Sequence, residues 1–232
     1  MLPKSFLARP LAHRAYHDKA HGRAENSLSA VKSAIEHGYG IEIDVQLASD
    51  GVAMVFHDYD LRRLTIEQGP LAQRSSAQLA QIPLMGDSTM IPTLAQVMDL
   101  VAGRVPVLIE LKDQDGGLGP NTGPMGKAVA QVLEPYKGPV AVMSFNPHAM
   151  AEMGRLLPDV PRGLTTGLFN PTDWPTIAQP TLERLSQIPD YSHVGASFIS
   201  HYHQELDHPR VSELNTQGAA ILCWTIRSTE QA

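Results

Sequence analysis

The feature that most constrains this chain is the repeated alternation of short apolar runs with amphipathic helical segments. That order predicts a parallel sheet flanked by helices. Phe6-Leu7-Ala8 and Leu11-Ala12 form a short first strand leading to His13. Residues 27–37 place Leu28, Val31, Ala34 and Ile35 at helical spacing, with Asn26 as the expected N-cap and Gly38 and Gly40 at the far end. Ile41–Leu47 alternates: Ile41, Ile43, Val45 and Leu47 face one way, and Glu42, Asp44 and Gln46 the other. Val52–Phe56 is a further apolar run behind the turn Ser49-Asp50-Gly51. Helices are then expected over 93–102, 125–136, 148–157, 177–187 and 209–217. They interleave with strands over 105–111, 140–143, 163–166, 194–198 and 219–225. About seven strand–helix units result, close to the eight that make a barrel of ~250 residues. The expected fold is therefore α/β, a (β/α)8 TIM barrel whose final strand is missing from this chain. Residues 1–232 are read as one barrel domain, with a small insertion over about 59–90 after the second strand, where the periodicity weakens. An open doubly wound sheet is the alternative, but no G-x-G-x-x-G or P-loop pattern supports it.

Charge and composition narrow the function. Lys+Arg 18 against Asp+Glu 24 leaves a net −6, which does not suit holding a nucleic-acid backbone. No run approaches the ~18 apolar residues of a membrane span, and the first residues lack the apolar stretch of a secretory signal. A lone cysteine, Cys223, excludes an internal disulfide and a Cys-rich zinc site. A cytoplasmic location with no stable membrane insertion is the expectation. The sequence carries no clear mark of oligomeric state.

Four short patterns sit at predicted strand ends: His13-Arg14, Glu42-x-Asp44, His57-Asp58 and Glu110-x-Lys112. Residues two apart on a strand share a face, and the C-terminal strand ends of a barrel form its active-site mouth. Glu42, Asp44 and Glu110 should therefore converge, and three carboxylates together need a cation. Oxygen-only ligands suit one hard divalent ion, Mg²⁺ or Ca²⁺. Two histidines beside it could serve as general acid and base. Arg14 and Lys112 supply donors suited to a phosphate. Without a nucleotide-binding motif, this set favours phosphoester cleavage over kinase-type transfer.

The stretch from Ala12-His13-Arg14-Ala15 through Ala24-Glu25-Asn26-Ser27-Leu28, the 34–56 run and His57-Asp58-Tyr59-Asp60-Leu61-Arg62-Arg63-Leu64-Thr65 resembles the N-terminal signature of glycerophosphodiester phosphodiesterases. Ile91-Pro92-Thr93-Leu94, Leu108–Lys112, Ser144-Phe145-Asn146 and Trp224-Thr225-Ile226 match later motifs of that family. The resemblance spans about residues 11 to 227 and is densest before Lys112. It implies a (β/α)8 barrel with a small insertion and a divalent metal on Glu42, Asp44 and Glu110. It also implies His13 and His57 as the acid/base pair, with Arg14 and Lys112 on the phosphate. The implied substrate is a small-molecule glycerophosphodiester, cleaved to sn-glycerol 3-phosphate and an alcohol. The implied route is attack by the neighbouring glycerol hydroxyl and a cyclic phosphate that water opens.

Several positions depart from the family's pattern or stand outside it. Ala15 replaces the usual Gly after His-Arg, and a required positive φ would strain it. Ser27 stands where Thr is common, and the loop over 16–24 is unusually polar and basic. The family's closing T-D-x-P-like segment is absent. Glu25, Asn26 and Asp58 read as support: an orienting carboxylate, a helix cap and a partner for His57. His201-Tyr202-His203 reads as a solvated loop, Cys223 as core, and Trp224 equally as pocket wall or barrel filler. The Gly-rich loop after Lys112 reads equally as substrate cradle or loose connection. Two rival functions keep the same barrel: a phospholipid or lysophospholipid headgroup hydrolase, and a non-catalytic binder of a phosphorylated ligand.

Overall fold

The computed structural model describes residues 1–228 and 230–231. Strands β1 (Leu11–Ala12), β2 (Gly40–Leu47), β4 (Val107–Leu111), β5 (Val140–Ser144), β6 (Arg162–Thr166), β7 (Phe198–Tyr202) and β8 (Ala220–Trp224) pair in parallel, in that order. β3 (Ala53–Val55) lies off this path, antiparallel to β2. Helices α1 (Leu28–Glu36), α2 (Ser76–Leu79), α3 (Leu94–Val101), α4 (Met125–Leu133), α5 (Pro147–Leu156), α6 (Gln179–Ser186) and α7 (Pro209–Thr216) alternate with the strands. Among the described residues β1 pairs only with β2 and β8 only with β7, so the expected barrel is present but open.

Strand alternation creates two apolar layers. Ile41, Ile43 and Val45 of β2 and Val107 and Ile109 of β4 point outward against Val31, Val97 and Val129 of the helices. Leu108, Ala141, Met143 and Phe198 point inward, where they cluster with Leu2 and with Phe6 of the N-terminal 3-10 turn (Lys4–Phe6). Each large side chain wholly buried in this way contributes roughly 1.5–3 kcal/mol. The regular elements of the 59–90 segment are two 3-10 turns, Leu61–Arg63 and Leu71–Gln73, and the short α2. It is fixed by its own apolar cluster: Leu61, Leu71, Leu79, Ile82 and Leu84 pack on Met54 and Phe56.

Four sequence expectations need correction. Asn26 is not the cap of α1; Ser27 is, its Oγ accepting from Ala30 N at 3.1 Å. β7 runs over Phe198–Tyr202 rather than 194–198, because Val194 is buried in a turn instead of a strand. His201 and Tyr202 therefore belong to that strand, and His201 is 1% exposed, with Nδ1 2.8 Å from Thr166 Oγ1. Cys223 is exposed, on the free-edged β8. The Gly-rich loop is also held rather than loose. Asn146 Nδ2 donates to Asp113 Oδ1 at 2.7 Å and to Gly119 O at 2.8 Å, and Leu118 is buried.

Candidate active site

The parallel pairing of β2 and β4 sets Asp44 beside Glu110. Glu42 lies two residues earlier on β2 and shares the inward face. Ligand oxygens of Glu42, Asp44 and Glu110 all lie within 4.8 Å of one another, with the residues 5%, 1% and 6% exposed. Burial pushes the Glu42 carboxyl well above its usual range, and the Asp44 and Glu110 charges add to that. Burial also pushes Asp44 upward, but the Lys112 ammonium, helped by His57 and by hydrogen bonds from Lys112 and Asn26, outweighs it and holds Asp44 low. Lys112 Nζ sits 2.7 Å from Asp44 Oδ1 and also contacts Glu110. The three-carboxylate set fits a hard divalent cation: every donor is oxygen, and the group carries more negative charge than one ammonium neutralises.

The loop after β1 closes one side of this cluster. Arg14 N donates to Glu42 Oε2 at 2.9 Å, and Ala15 N donates to Glu42 O at 2.9 Å. Reaching both acceptors puts Arg14 and Ala15 in the left-handed region, at φ 54 and 64. Ala15 therefore carries the strain that the replaced glycine would avoid. Asn26, also left-handed at φ 57, donates from Nδ2 to Asp44 Oδ2 at 2.9 Å and accepts from Asp44 N at 3.2 Å. Its side chain thus orients a carboxylate instead of capping a helix. Arg14 Nη1 donates to Glu25 Oε1 at 2.8 Å, while its buried Nε has no hydrogen-bond partner and lies 3.7 Å from Asp44 Oδ2.

His13 ends the first strand segment, and burial, reinforced by Arg14, lowers its pKa to about 4, against an opposing pull from Asp44. The charges of His57 and Lys112 act in the same lowering direction. His57 follows the β3 run. Its Nδ1 is 2.6 Å from Asp58 Oδ1, and its carbonyl accepts from Gln46 Nε2 at 3.1 Å. A carboxylate can only accept, so the Nδ1 proton lies toward Asp58 and Nε2 carries the lone pair.

Two polar residues were assigned no part by the sequence. Gln46 was legible as the third inward position of β2. Arg63 lies in the Leu61-Arg62-Arg63-Leu64-Thr65 run, and the structure shows it bridging Glu25 and Asp58. Phe145, Phe169, Trp174 and Trp224 form an aromatic group, with Phe145 in edge contact with each of the other three. Trp224 Nε1 donates to Ser200 O at 3.0 Å. This arrangement makes Trp224 part of an aromatic wall.

Residues 13–232 match the Glycerophosphoryl diester phosphodiesterase family. The chain belongs to that family. It is accordingly a phosphoric diester hydrolase. YhdW of Bacillus subtilis is 24% identical over 232 residues, covering 96% of this chain and 87% of that protein. The glycerophosphodiester phosphodiesterase of Caldanaerobacter subterraneus subsp. tengcongensis is 30% identical over 158 residues, which cover 63% of this chain and 64% of that protein. A phosphodiesterase of Oleispira antarctica, solved with the product sn-glycerol-3-phosphate, shares the fold with a TM-score of 0.77 at 24% identity. That match covers 98% of this chain and 89% of the other. Among the described residues of this family member, no helix is long and apolar enough to cross a membrane.

Proposed function

We propose that this chain hydrolyses small glycerophosphodiesters to sn-glycerol 3-phosphate and an alcohol. The observation that carries the reading is the buried trio Glu42, Asp44 and Glu110, flanked by Lys112 and Arg14, in a chain of this family. Glu42, Asp44 and Glu110 would hold one Mg²⁺ or Ca²⁺. When bound, that ion supplies positive charge against the phosphoryl oxygens as negative charge builds on them.

The chain's own groups do the rest. Arg14 and Lys112 bind the phosphate oxygens and orient phosphorus between the two imidazoles. One of His13 and His57 takes the proton from the neighbouring glycerol hydroxyl as its oxygen bonds to phosphorus. The other delivers a proton to the departing alcohol oxygen as the P–O bond breaks. The tethered hydroxyl is favoured over free water because it is already held near phosphorus. Water then opens the cyclic phosphate with the two histidines in exchanged roles. Asp58 fixes the His57 tautomer, Asn26 fixes Asp44, and Glu25 fixes Arg14.

One observation favours a second reading, a lysophospholipid headgroup hydrolase on the same barrel. Leu168 is 59% exposed beside Phe169, which extends the aromatic wall as an apolar rim. The test strips the protein with chelator, restores Mg²⁺ or Ca²⁺, and measures glycerol 3-phosphate release from glycerophosphocholine beside cleavage of a long-chain lysolipid. Cation-dependent turnover of glycerophosphocholine is expected. Glu42→Gln, Asp44→Asn and Glu110→Gln should each lower both turnover and cation affinity by more than about 100-fold. No release from any glycerophosphodiester with either cation would reject the proposal, and preference for the lysolipid would replace it with the second reading.

A further inference from the structure

We infer that Arg63, supplied by the 59–90 segment, is the positioning residue that joins the two sides of the site, acting through Asp58 on His57 and through Glu25 on Arg14. Its kinetic consequence rests on the phosphodiesterase reading, and its spectroscopic consequence rests on geometry alone.

The guanidinium makes two forks. Arg63 Nε donates to Asp58 Oδ2 at 2.5 Å and Nη2 to Asp58 Oδ1 at 2.8 Å. Arg63 Nη1 donates to Glu25 Oε2 at 2.9 Å and Nη2 to Glu25 Oε1 at 2.7 Å. Only a planar guanidinium offers that many fixed donors, so a lysine cannot reproduce the pattern. The two oxygens that accept from Arg63 Nη2 are also the ones that serve the site. Asp58 Oδ1 is the partner of His57 Nδ1, and Glu25 Oε1 is the partner of Arg14 Nη1. Arg63 therefore fixes the direction in which both carboxylates present their remaining lone pairs. With Arg63 gone, Asp58 keeps His57 as its one side-chain partner and is free to rotate away from it, so the fixed acceptor that holds the His57 proton on Nδ1 is lost.

The surroundings separate positioning from folding. Arg63 closes a 3-10 turn whose core contact is Leu61 and whose N-cap is Asp60, accepting from Arg62 N at 2.9 Å. The Arg63 side chain is 44% exposed, so its loss opens no cavity. The loop bearing Glu25 has its own anchor, since Ala24 N donates to Asp87 Oδ2 at 2.8 Å. Exposed ion pairs add little to global stability. Shortening Arg63 should therefore alter the site while leaving the melting temperature nearly unchanged.

The test compares wild type with Arg63→Ala, Arg63→Lys and Asp58→Asn. In the wild type, nitrogen-15 NMR should show His57 protonated at Nδ1, and in Arg63→Ala the ring should shift toward the Nε2–H tautomer. With glycerophosphocholine and cation, Arg63→Ala should lower kcat about 10–100-fold, with a smaller rise in KM. Arg63→Lys should restore little, and added guanidinium ion should restore part of the lost kcat. Asp58→Asn combined with Arg63→Ala should lose less than the product of the two single effects, because the Asp58 arm of Arg63 acts through the same imidazole. An unchanged His57 tautomer in Arg63→Ala overturns the inference whether or not the wild type is active. An active wild type with an equally active Arg63→Ala also overturns it. A wild type that cleaves no glycerophosphodiester defeats the functional reading, and the tautomer result then decides the role of Arg63.

Discussion

Lys112 Nζ lies 2.7 Å from Asp44 Oδ1, and the same ammonium also contacts Glu110. Lys112 is thus the internal cation of the carboxylate cluster. Burial alone would lower its pKa, but Asp44 and Glu110 raise it further than burial lowers it, so it stays charged. Replacing it with a neutral side chain of similar length leaves buried carboxylates uncompensated, a change on the order of 3–5 kcal/mol. Lys112→Met in chelator should therefore melt about 6–20 °C below wild type. Saturating Mg²⁺ or Ca²⁺ should raise its melting temperature more than it raises that of wild type. Equal melting temperatures in chelator would show that Lys112 does not neutralise the cluster.

His13 follows β1 and His57 follows β3, and these are the two imidazoles to which the proposed reaction gives the proton transfers. His13→Ala should slow turnover by about 10²–10⁴ while substrate affinity changes less. Steady-state kinetics beside a product-binding titration separates the two effects. Undiminished kcat would remove His13 from the proton-transfer pair.

His201 lies outside the site, on the outer face of β7, and its Nε2 is buried without a hydrogen-bond partner. Burial, with the nearby His208 charge adding to it, lowers its pKa to about 4. The unfolded histidine, at about 6.5, binds a proton that the folded one refuses. Its neutral form thus supports the fold fully above about pH 6.5. That support declines as pH falls and levels off near pH 4, a loss on the order of 2–3 kcal/mol. His201→Gln keeps a partner for Thr166 and should flatten the fall of melting temperature across that window. An identical pH slope in the variant would assign the acid lability elsewhere.

Ala15 is held at φ 64 with its N–H on Glu42 O. A left-handed non-glycine residue costs about 1–2 kcal/mol, and glycine there adds back about 0.4–1 kcal/mol through the unfolded chain. Ala15→Gly should therefore stabilise the protein by roughly 0.5–1 kcal/mol, read as a higher urea midpoint. A lower midpoint would mean that the packing of the Ala15 methyl outweighs its backbone strain.

The carboxylate cluster was legible because β2 and β4 obey a two-residue period, so Glu42, Asp44, Glu110 and Lys112 declared a common face from spacing alone. Arg63 was not legible. It meets Glu25 across 38 residues of sequence, from a segment with no period to reveal its direction. β7 was displaced by four residues because Ser200, His201 and Tyr202 look like loop composition, whereas the buried Val194 looks like strand. Only the hydrogen bond between His201 and Thr166 reveals how a polar residue is accommodated there. Cys223 read as core from its residue type, but its exposure follows from its place on a strand that pairs on one side only. Asn26 has the composition of a cap, and its left-handed backbone instead turns the amide toward Asp44.

The alignment of Asp44 with Glu110 across β2 and β4 has a consequence for assembly. A slip of one residue between these two strands would turn Glu110 out toward the helices and bring Ile109 or Leu111 inward, leaving a greasy side chain where an anionic oxygen belongs. The cage is thus an all-or-nothing product of one pairing event. A chain whose β2 and β4 zip one residue out of register would hold together only two of the three carboxylates, however well the helices around them form.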